Sequence, residues 1–235
     1  MRDSVGHRPR VPAARLGPVN AAAKTPAARP SASAVWAEAF VPEAEGAAAA
    51  RAAAERMGVV PVSQGAASVL TFLTSVLQAR AVAEVGTGTG VSGLALLRGM
   101  APEGILTSID TEPEHQAAAR EAFNAAGYPT RRARLIAGAA LQVLPKLSDG
   151  AYDLVLVDGD PLEYVEYVEQ GLRLLRPGGL LVLNHALADG RVADERNEDD
   201  EVVIIREALT AVSDSDELAP VLLPVGDGLL VARRA

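Results

Sequence analysis

The stretch Glu84-Val85-Gly86-Thr87-Gly88-Thr89-Gly90 decides the fold of this 235-residue chain. It follows an apolar run at 81–85, which predicts a strand, and it precedes an amphipathic segment at 91–100, which predicts a helix. In an open α/β sheet, a glycine-rich turn at this position lets the backbone approach a ligand, and the N–H groups of the helix face that ligand. The turn therefore predicts a nucleoside-binding site, although such turns also occur with a purely structural role.

On both sides of this turn, short apolar runs alternate with amphipathic segments. This alternation is typical of right-handed βαβ units and a parallel sheet. Two further apolar runs, at 221–225 and 229–232, flank Gly226-Asp227-Gly228 and predict an antiparallel hairpin. The expected fold class is α/β, with a mostly parallel seven-stranded sheet that ends in a C-terminal antiparallel hairpin. The other predicted strands lie at 105–110, 134–137, 152–158 and 180–184, and the predicted helices at 34–40, 44–57, 63–78, 91–100, 113–126, 140–147, 161–175 and 202–212.

Composition narrows the class of protein. The chain has 49% hydrophobic residues, no cysteine and a net charge of -8, and no apolar run approaches the ~18 residues of a membrane span. Residues 1–30 carry six Lys and Arg side chains against Asp3 alone, so the rest of the chain is strongly acidic. An acidic body argues against a nucleic-acid partner, because that binding depends on cationic neutralisation of phosphates. We therefore expect a cytoplasmic protein without membrane or nucleic-acid partners, with a disordered basic tail at 1–30 and one domain at 31–235.

A carboxylate supports the nucleoside site. The predicted strand after the glycine-rich turn ends at Asp110, where a carboxylate can accept hydrogen bonds from both ribose hydroxyls of an adenosine. NAD and S-adenosylmethionine (SAM) share this requirement. A dinucleotide-binding loop reads G-x-G-x-x-G/A, but the sixth position counted from Gly86 is Val91, so that fingerprint fails by one residue. Thr87, Thr89 and Ser92 can cap the following helix, contact the ligand, or do both.

Several motifs occur in a fixed order between about residue 60 and residue 232. Their order resembles the O-methyltransferase family that includes catechol and caffeoyl-CoA O-methyltransferases. Each motif alone is weakly specific, whereas the combination is specific. The matching segments are Glu84 to Ser92 (family pattern E-x-G-T-x-x-G-x-S), Ser63-Gln64-Gly65, Gly138-Ala139-Ala140, Asp158-Gly159-Asp160 with Tyr164, Arg176-Pro177-Gly178-Gly179, and Leu223-Pro224-Val225-Gly226-Asp227-Gly228-Leu229.

The resemblance implies a Rossmann-like SAM-dependent methyltransferase fold, SAM as the cofactor, a small-molecule acceptor and a homodimer. Its implied contacts run from the methionine portion of SAM through the ribose, which Asp110 would bind, to the adenine. Asp158 would lie where the cofactor and the acceptor meet. The complete implied cofactor set is Val62, Ser63, Glu84, Gly86, Thr87, Gly88, Ser92, Asp110, Thr111, Gly138, Ala139, Ala140, Asp158 and Asp160.

The chain departs from the family pattern where the chemistry takes place. The family holds a divalent ion, usually magnesium, with an Asp at position 158 and an Asp-Asn pair after the fifth strand, and a Lys helps to remove the acceptor proton. Here the pair is Asn184-His185, the Lys position is Pro161, and an aromatic position is Ala188. The candidate metal ligands that remain are Asp158, Asn184 and His185.

Asp158 and His185 are the candidate catalytic residues. A neutral imidazole is a suitable general base near neutral pH, and as a ligand it suits transition metals better than magnesium. We therefore predict that the enzyme does not require magnesium, and that His185 is the general base or, as a second option, a ligand of a softer metal. The structural alternative is a strand-end histidine that is hydrogen-bonded to a loop.

Three other side chains have simpler interpretations. His115 is expected on the exposed face of a helix, without a role. Tyr164 and Tyr167 lie three residues apart on one predicted helix, where they either line an acceptor pocket or cover the sheet.

The sequence therefore leaves three functions open. The first is transfer of a methyl group from SAM to a hydroxyl of a small phenolic or catechol-like acceptor. The second is a SAM-binding protein with lost or altered catalysis, because Pro161, Asn184 and His185 replace family residues. The third is a NAD-linked oxidoreductase, which Val91 and the terminal hairpin disfavour.

Overall fold

One seven-stranded sheet organises the computed structural model, which describes residues 31–235. The strands are β1 (Ala81–Val85), β2 (Ile105–Asp110), β3 (Ala133–Ala137), β4 (Tyr152–Val157), β5 (Leu175–Leu183), β6 (Leu218–Leu223) and β7 (Leu229–Arg234). Their order in the sheet is β3-β2-β1-β4-β5-β7-β6. The first five strands pair in parallel, and β7 pairs antiparallel with both β5 and β6. This confirms the predicted fold class.

Helices cover both faces of the sheet. The helices are α1 (Ala32–Glu38), α2 (Glu45–Met57), α3 (Gln64–Val76), α4 (Val91–Gly99), α5 (Pro113–Ala125), α6 (Ala140–Val143), α7 (Tyr164–Leu174) and α8 (Asp200–Asp214). Apolar side chains of α2 to α5, among them Leu70 and Phe123, are buried on one face. Those of α7 and α8, among them Val168 and Ile205, are buried on the other. Covering on both faces explains why the strands read as continuous apolar runs.

The order of the central strands positions the site. β1 lies between β2 and β4, with Val85 opposite Ile109 on one side and Val157 on the other. The chain therefore changes direction across the sheet between β1 and β4, which is the topological switch point where open α/β sheets bind ligands. The residues just beyond these strand ends are brought together at that point.

Some element boundaries differ from the sequence predictions. Residues 176–179 were expected in a loop before the fifth strand, but β5 begins at Leu175 and includes them, with a register shift opposite β4 between Tyr152 and Leu154. Pro177 has no N–H to donate and Gly178 has φ of +79°, so both suit an irregular strand segment. The expected helix at 161–175 begins as a short 3-10 helix (Pro161–Glu163). The predicted disordered tail at 1–30 lies outside the described residues.

No helix within residues 31–235 is long and apolar enough to cross a membrane.

Candidate active site

The glycine-rich turn between β1 and α4 forms one wall of a cleft at the switch point. Gly86, Gly88 and Gly90 have φ angles of +91°, +47° and +92°, a region that side chains with a Cβ rarely adopt. A Cβ on Gly86 would also lie 2.1 Å from the carbonyl oxygen of Asp158. Glycine at position 86 is therefore required both by the backbone conformation and by the close approach of the ends of β1 and β4.

Asp110, at the end of β2, holds the glycine-rich turn in place. Its Oδ2 atom accepts hydrogen bonds from the N–H groups of Thr87 at 3.0 Å and Gly88 at 2.9 Å. Its Oδ1 atom accepts from the N–H of Glu112 at 2.8 Å. The carboxylate predicted to bind a ribose thus lies in the cleft and also fixes the loop beside it.

Glu84 lies beneath the turn and is fully buried. Ser108 Oγ donates to Glu84 Oε2 at 2.5 Å, and Thr87 Oγ1 lies 2.6 Å from Ser108 Oγ. Glu84 Oε1 has no hydrogen-bond partner in the described part of the chain. Burial, which outweighs the hydrogen bond from Ser108, raises the pKa of the Glu84 carboxyl to about 7. A buried acceptor that needs a donor is what a cofactor with a cationic amino group would satisfy.

The opposite wall comes from the loop after β3. Gly138 donates its N–H to the carbonyl of Asp110 at 2.9 Å, and α6 begins two residues later. The cleft has a volume of about 340 Å³. The predicted cofactor residues that line it are Gly86, Thr87, Gly88, Ser92, Asp110, Thr111, Gly138, Ala139, Ala140, Asp158 and Asp160.

Three predicted cofactor residues do not line this cleft. Val62 is buried in the core, and its carbonyl accepts a hydrogen bond from Arg51 at 2.9 Å. Ser63 caps α3, since its hydroxyl accepts the N–H of Ala66 at 3.0 Å. Glu84 lies one layer below the lining, as described above. The predicted roles of these three residues at the cofactor stay predictions.

The cleft also contains residues that the sequence analysis missed. His115 was expected on an exposed helix face, which is wrong: it is half-buried, it lines the cleft, and its Nδ1 atom lies 3.3 Å from Asp110 Oδ1. The signal that was missed is position, because His115 lies in the first turn of α5, which directly follows the strand end predicted to bind the ribose. Thr89 and Tyr167, both considered as possible contacts in the sequence analysis, line the cleft, and the other missed lining residues are Val59, Val60, Pro61, Val85, Val91, Ile109, Glu112, Gly159 and Glu163.

Asp158 lies at the far end of the cleft, just beyond β4. Asn184 Nδ2 donates to Asp158 Oδ1 at 2.8 Å. Asp158 Oδ2 has no hydrogen-bond partner within residues 31–235. Although the cleft gives this carboxyl some solvent contact, the surrounding protein desolvates it and raises its pKa to about 7, against the lowering effects of Asn184 and His185.

His185 lies next to Asn184 in a network of charged side chains. Its Nε2 atom lies 2.9 Å from Glu201 Oε1, and its Nδ1 atom contacts the carboxylate of Asp227. Glu201 Oε2 accepts from Arg191 at 2.6 Å, and this bond lowers the pKa of Glu201 below its usual range. Both ring nitrogens of His185 are thus engaged by carboxylates of this chain. The sequence predicted neither partner: Glu201 belongs to an acidic run and Asp227 to the hairpin turn.

The three candidate metal ligands do not fit a metal ion in this arrangement. Asn184 turns its NH₂ group, not its oxygen, toward Asp158. Both ring nitrogens of His185 are directed at carboxylates. Within residues 31–235, no group of three or more His, Cys, Asp or Glu side chains has the geometry to hold a metal. Of the expected ligands, only Asp158 presents a free oxygen to the cleft.

The two tyrosines of α7 support the site from the core. Tyr164 is buried and donates its hydroxyl to the carbonyl of Asn184 at 3.0 Å. Burial raises the pKa of Tyr164 well above its ordinary value. Tyr167 is also buried, contacts Glu163 through its hydroxyl and borders the cleft. Both tyrosines therefore cover the sheet, and Tyr164 also positions the backbone at the end of β5.

The arrangement described above matches a known family. A family model described as O-methyltransferase matches residues 42–235. The chain belongs to the O-methyltransferase family. A relative from Mycobacterium sp. (strain JLS), whose name assigns it to the O-methyltransferases, is 49% identical over 187 residues, which cover 80% of this chain and 85% of that protein.

Solved structures of related proteins agree with this assignment. A protein from Corynebacterium glutamicum superimposes with a TM-score of 0.80 and 30% identity, covering 86% of this chain and 94% of that one. TomG, an O-methyltransferase from Streptomyces achromogenes involved in tomaymycin synthesis, was solved in complex with SAM. It superimposes with a TM-score of 0.78 and 26% identity, covering 86% of this chain and 94% of its own.

These likenesses confirm three of the sequence predictions: the family, the SAM-dependent methyltransferase fold, and SAM as the cofactor. The chain is a SAM-dependent O-methyltransferase, and the NAD-linked hypothesis is set aside. The cleft fits this cofactor, since it combines a glycine cradle with a carboxylate, Asp110, at the position predicted to bind a ribose.

Proposed function

We propose that this O-methyltransferase methylates a hydroxyl of a small phenolic or catechol-like acceptor, that Asp158 accepts the hydroxyl proton, and that magnesium is not required. The observation that carries the proposal is the free carboxylate oxygen of Asp158 in the cleft. The pKa of this carboxyl is also raised, to about 7. A carboxylate with such a pKa is a stronger base than an ordinary aspartate, and it is still largely ionised at pH 7.5 to 8.

The protein must supply a base and a fixed geometry. Bound SAM supplies an electrophilic methyl group on a sulfonium. A phenol with a pKa near ~10 is mostly protonated at neutral pH, so it becomes a good nucleophile only if its proton is removed as it attacks. Asn184 holds Asp158 Oδ1, which leaves Oδ2 to receive that proton. The glycine-rich turn and Asp110 would align the cofactor for in-line displacement.

His185, which the sequence analysis predicted as the general base, is here the second candidate for that role. Both of its ring nitrogens face carboxylates of this chain, Glu201 and Asp227, and His185 is not among the residues that line the cleft. The geometry therefore favours Asp158 as the base. It favours His185 as a positioning residue that ties the end of β5 to α8 and to the hairpin turn, and so keeps Asn184 against Asp158.

The test combines acceptor screening with metal removal. The protein is incubated with methyl-labelled SAM and a panel of catechols, flavonoids and hydroxylated polyketides, and products are identified by mass spectrometry. On an accepted compound we expect activity to survive EDTA treatment within about twofold, and His185→Ala to lower kcat by about tenfold, close to 1.4 kcal/mol of barrier.

Two results would contradict the proposal. Loss of activity in EDTA that magnesium alone restores would show a metal-dependent site. Absence of any methylated product, while S-adenosylhomocysteine (SAH) still binds, would favour a SAM-binding protein with lost or altered catalysis. Lys146→Ala serves as the control variant, because Lys146 lies on the 3-10 helix after α6 and outside the cleft.

We also propose a cytoplasmic homodimer. Trp36 and Phe40 of the α1 region form an aromatic pair with ring centroids 5.1 Å apart, and both are mostly exposed. Phe72 and Val76 of α3 are exposed as well. Such apolar surface supports a protein interface. Light scattering after size exclusion is expected to give twice the chain mass of 24.3 kDa, and a monomer at micromolar concentration would contradict the proposal.

A further inference from the structure

The carboxylate of Asp110 is surrounded by donors of its own chain. Oδ2 accepts two backbone N–H groups, from Thr87 and Gly88, and Oδ1 accepts one, from Glu112. His115 Nδ1 lies 3.3 Å from Oδ1. A carboxylate offers about four acceptor positions in all. Backbone N–H groups therefore take three of these positions, and His115 lies within ion-pair distance of the remaining side of Oδ1.

A ribose that binds Asp110 through two hydroxyls needs acceptor positions that are already in use. The donors on Thr87, Gly88 and Glu112 belong to the backbone, so they leave only if the glycine-rich turn or the start of α5 moves. His115 makes the longest of the four contacts, and rotation about its side-chain bonds is enough to break it. Its side chain is 23% exposed, so it has room to turn toward solvent. His115 is thus the donor that gives way most easily.

We propose that His115 competes with the ribose of the cofactor for Asp110. It stays beside Oδ1 until a ribose hydroxyl displaces it, and it thereby lowers the affinity for adenosyl ligands. The inference concerns the binding of SAM and SAH only. It does not depend on the proposed acceptor or on Asp158 as the base, so either can fail without the other.

The first test is calorimetric titration of the full chain with SAH. We expect His115→Ala to bind SAH two- to tenfold more tightly than the unchanged protein, because no contact with Asp110 has to be broken. Glu114→Ala is the matched control, since Glu114 is exposed in the same helical turn and does not line the cleft. Its affinity for SAH should be unchanged. Weaker or unchanged binding by His115→Ala would overturn the proposal.

A second ligand separates competition from a general effect on the cleft. The 2′,3′-dideoxy analogue of SAH has no ribose hydroxyls, so it does not need to displace His115. We expect His115→Ala and the unchanged protein to bind this analogue equally within about twofold. A residue with a merely structural role would shift both ligands alike, and equal shifts would refute the competition.

A third measurement uses the unchanged protein, so it does not depend on a variant that folds. The sequence contains three histidines, and the His115→Ala spectrum identifies the ring ¹⁵N signals of His115 among them. Without ligand we expect the Nδ1 signal of a hydrogen-bonded imidazole, and saturation with SAH should shift it toward a solvent-exposed ring. A His115 signal that stays the same at saturation would show that the contact with Asp110 persists, and the inference would be wrong.

Discussion

At the end of the cleft formed by the glycine-rich turn and Asp110, called here the cofactor end, backbone groups do most of the positioning. At the end formed by Asp158, Asn184 and His185, called here the acceptor end, side chains do it. The glycine-rich turn is fixed by N–H groups that donate to Asp110, and by contacts that only glycine permits. Beyond β5, Asn184 and His185 are fixed by Asp158, Glu201 and Asp227 through side-chain contacts. The first arrangement can persist while most side chains change. The second depends on each partner.

This difference explains where the chain keeps the family pattern and where it departs from it. The turn, Asp110 and the loop at Gly138 match the family motif and lie together in the cleft. At the acceptor end, two positions that hold a metal in the family carry Asn184 and His185, which are engaged by neighbouring protein groups instead.

The largest expected effect is at the acceptor end. Replacing Asp158 by Asn removes the proposed proton acceptor but keeps the size of the side chain. Since removal of a general base costs roughly 10²- to 10⁴-fold in rate, we expect kcat to fall by about 10³-fold. The affinity for SAH should change less than about threefold. Initial rates and calorimetry on the same preparation measure the two quantities.

The pH dependence of the unchanged enzyme tests the same group. Only ionised Asp158 can accept a proton, and its pKa is raised to about 7, so kcat/KM should rise with pH through a midpoint near 7. An Asp158→Asn enzyme with more than a tenth of the original kcat would show that another group removes the proton. In that case His185 would become the first candidate.

A smaller effect is expected from the backbone-built end. Gly86→Ala places a Cβ 2.1 Å from the Asp158 carbonyl, between backbone atoms that cannot give way cheaply. We expect SAH binding to weaken by about a hundredfold, with a loss of stability of about 2 to 4 kcal/mol. Gly88→Ala is the matched variant: its φ is also positive, but its nearest neighbour is Val59 Cγ1 at 3.4 Å. If both variants lose equal affinity, backbone strain and not the close approach explains the effect.

The same contrast shows what the sequence predicted and what it did not. The strands at 81–85 and 105–110 were predicted with the observed bounds, because local periodicity determines them. The position of Asp110 followed from its place at the end of the next predicted strand along the chain. By contrast, the contacts of His185 with Glu201 and Asp227 join residues 16 and 42 positions apart, and no local pattern reports which side chains meet at such a distance.

His115 shows the same limit from the other direction. Its helix was predicted correctly, but the side of the helix that carries His115 was expected to be exposed. That side faces the cleft instead, because the helix follows directly after β2. Residues 176–179 were assigned to a loop because they match the family motif before the fifth strand, whereas β5 runs through them, with the flanking Leu175 and Leu180 paired to β4. Tertiary context decided both cases.

The smallest expected effect concerns Glu84, and it tests whether the cofactor end reduces the stability of the protein. Burial raises the pKa of Glu84 from 4.5 to about 7, so between these pH values the folded protein holds a proton that the unfolded chain has lost. The contribution of Glu84 to the free energy of unfolding therefore falls as pH rises from about 4.5 to about 7. Above that range the buried charge destabilises the protein by the full amount. Gln carries no charge and can still accept from Ser108.

Glu84→Gln should therefore stabilise the protein at pH 8 by about 1 to 3 kcal/mol and leave it nearly unchanged at pH 5, where Glu84 is protonated. Asp158 also has a raised pKa and is present in both proteins, but its charge helps to raise the pKa of Glu84, so replacing Glu84 also changes the contribution of Asp158 to the difference. Urea unfolding of the two proteins without ligand, at both pH values, gives the four free energies required. A stability difference that is the same at pH 5 and pH 8 would mean that Glu84 does not change its protonation on unfolding. A gain confined to pH 8 would mean that this buried carboxylate lowers the stability of the protein. If it is retained for cofactor binding, the affinity for SAH should be lower in Glu84→Gln.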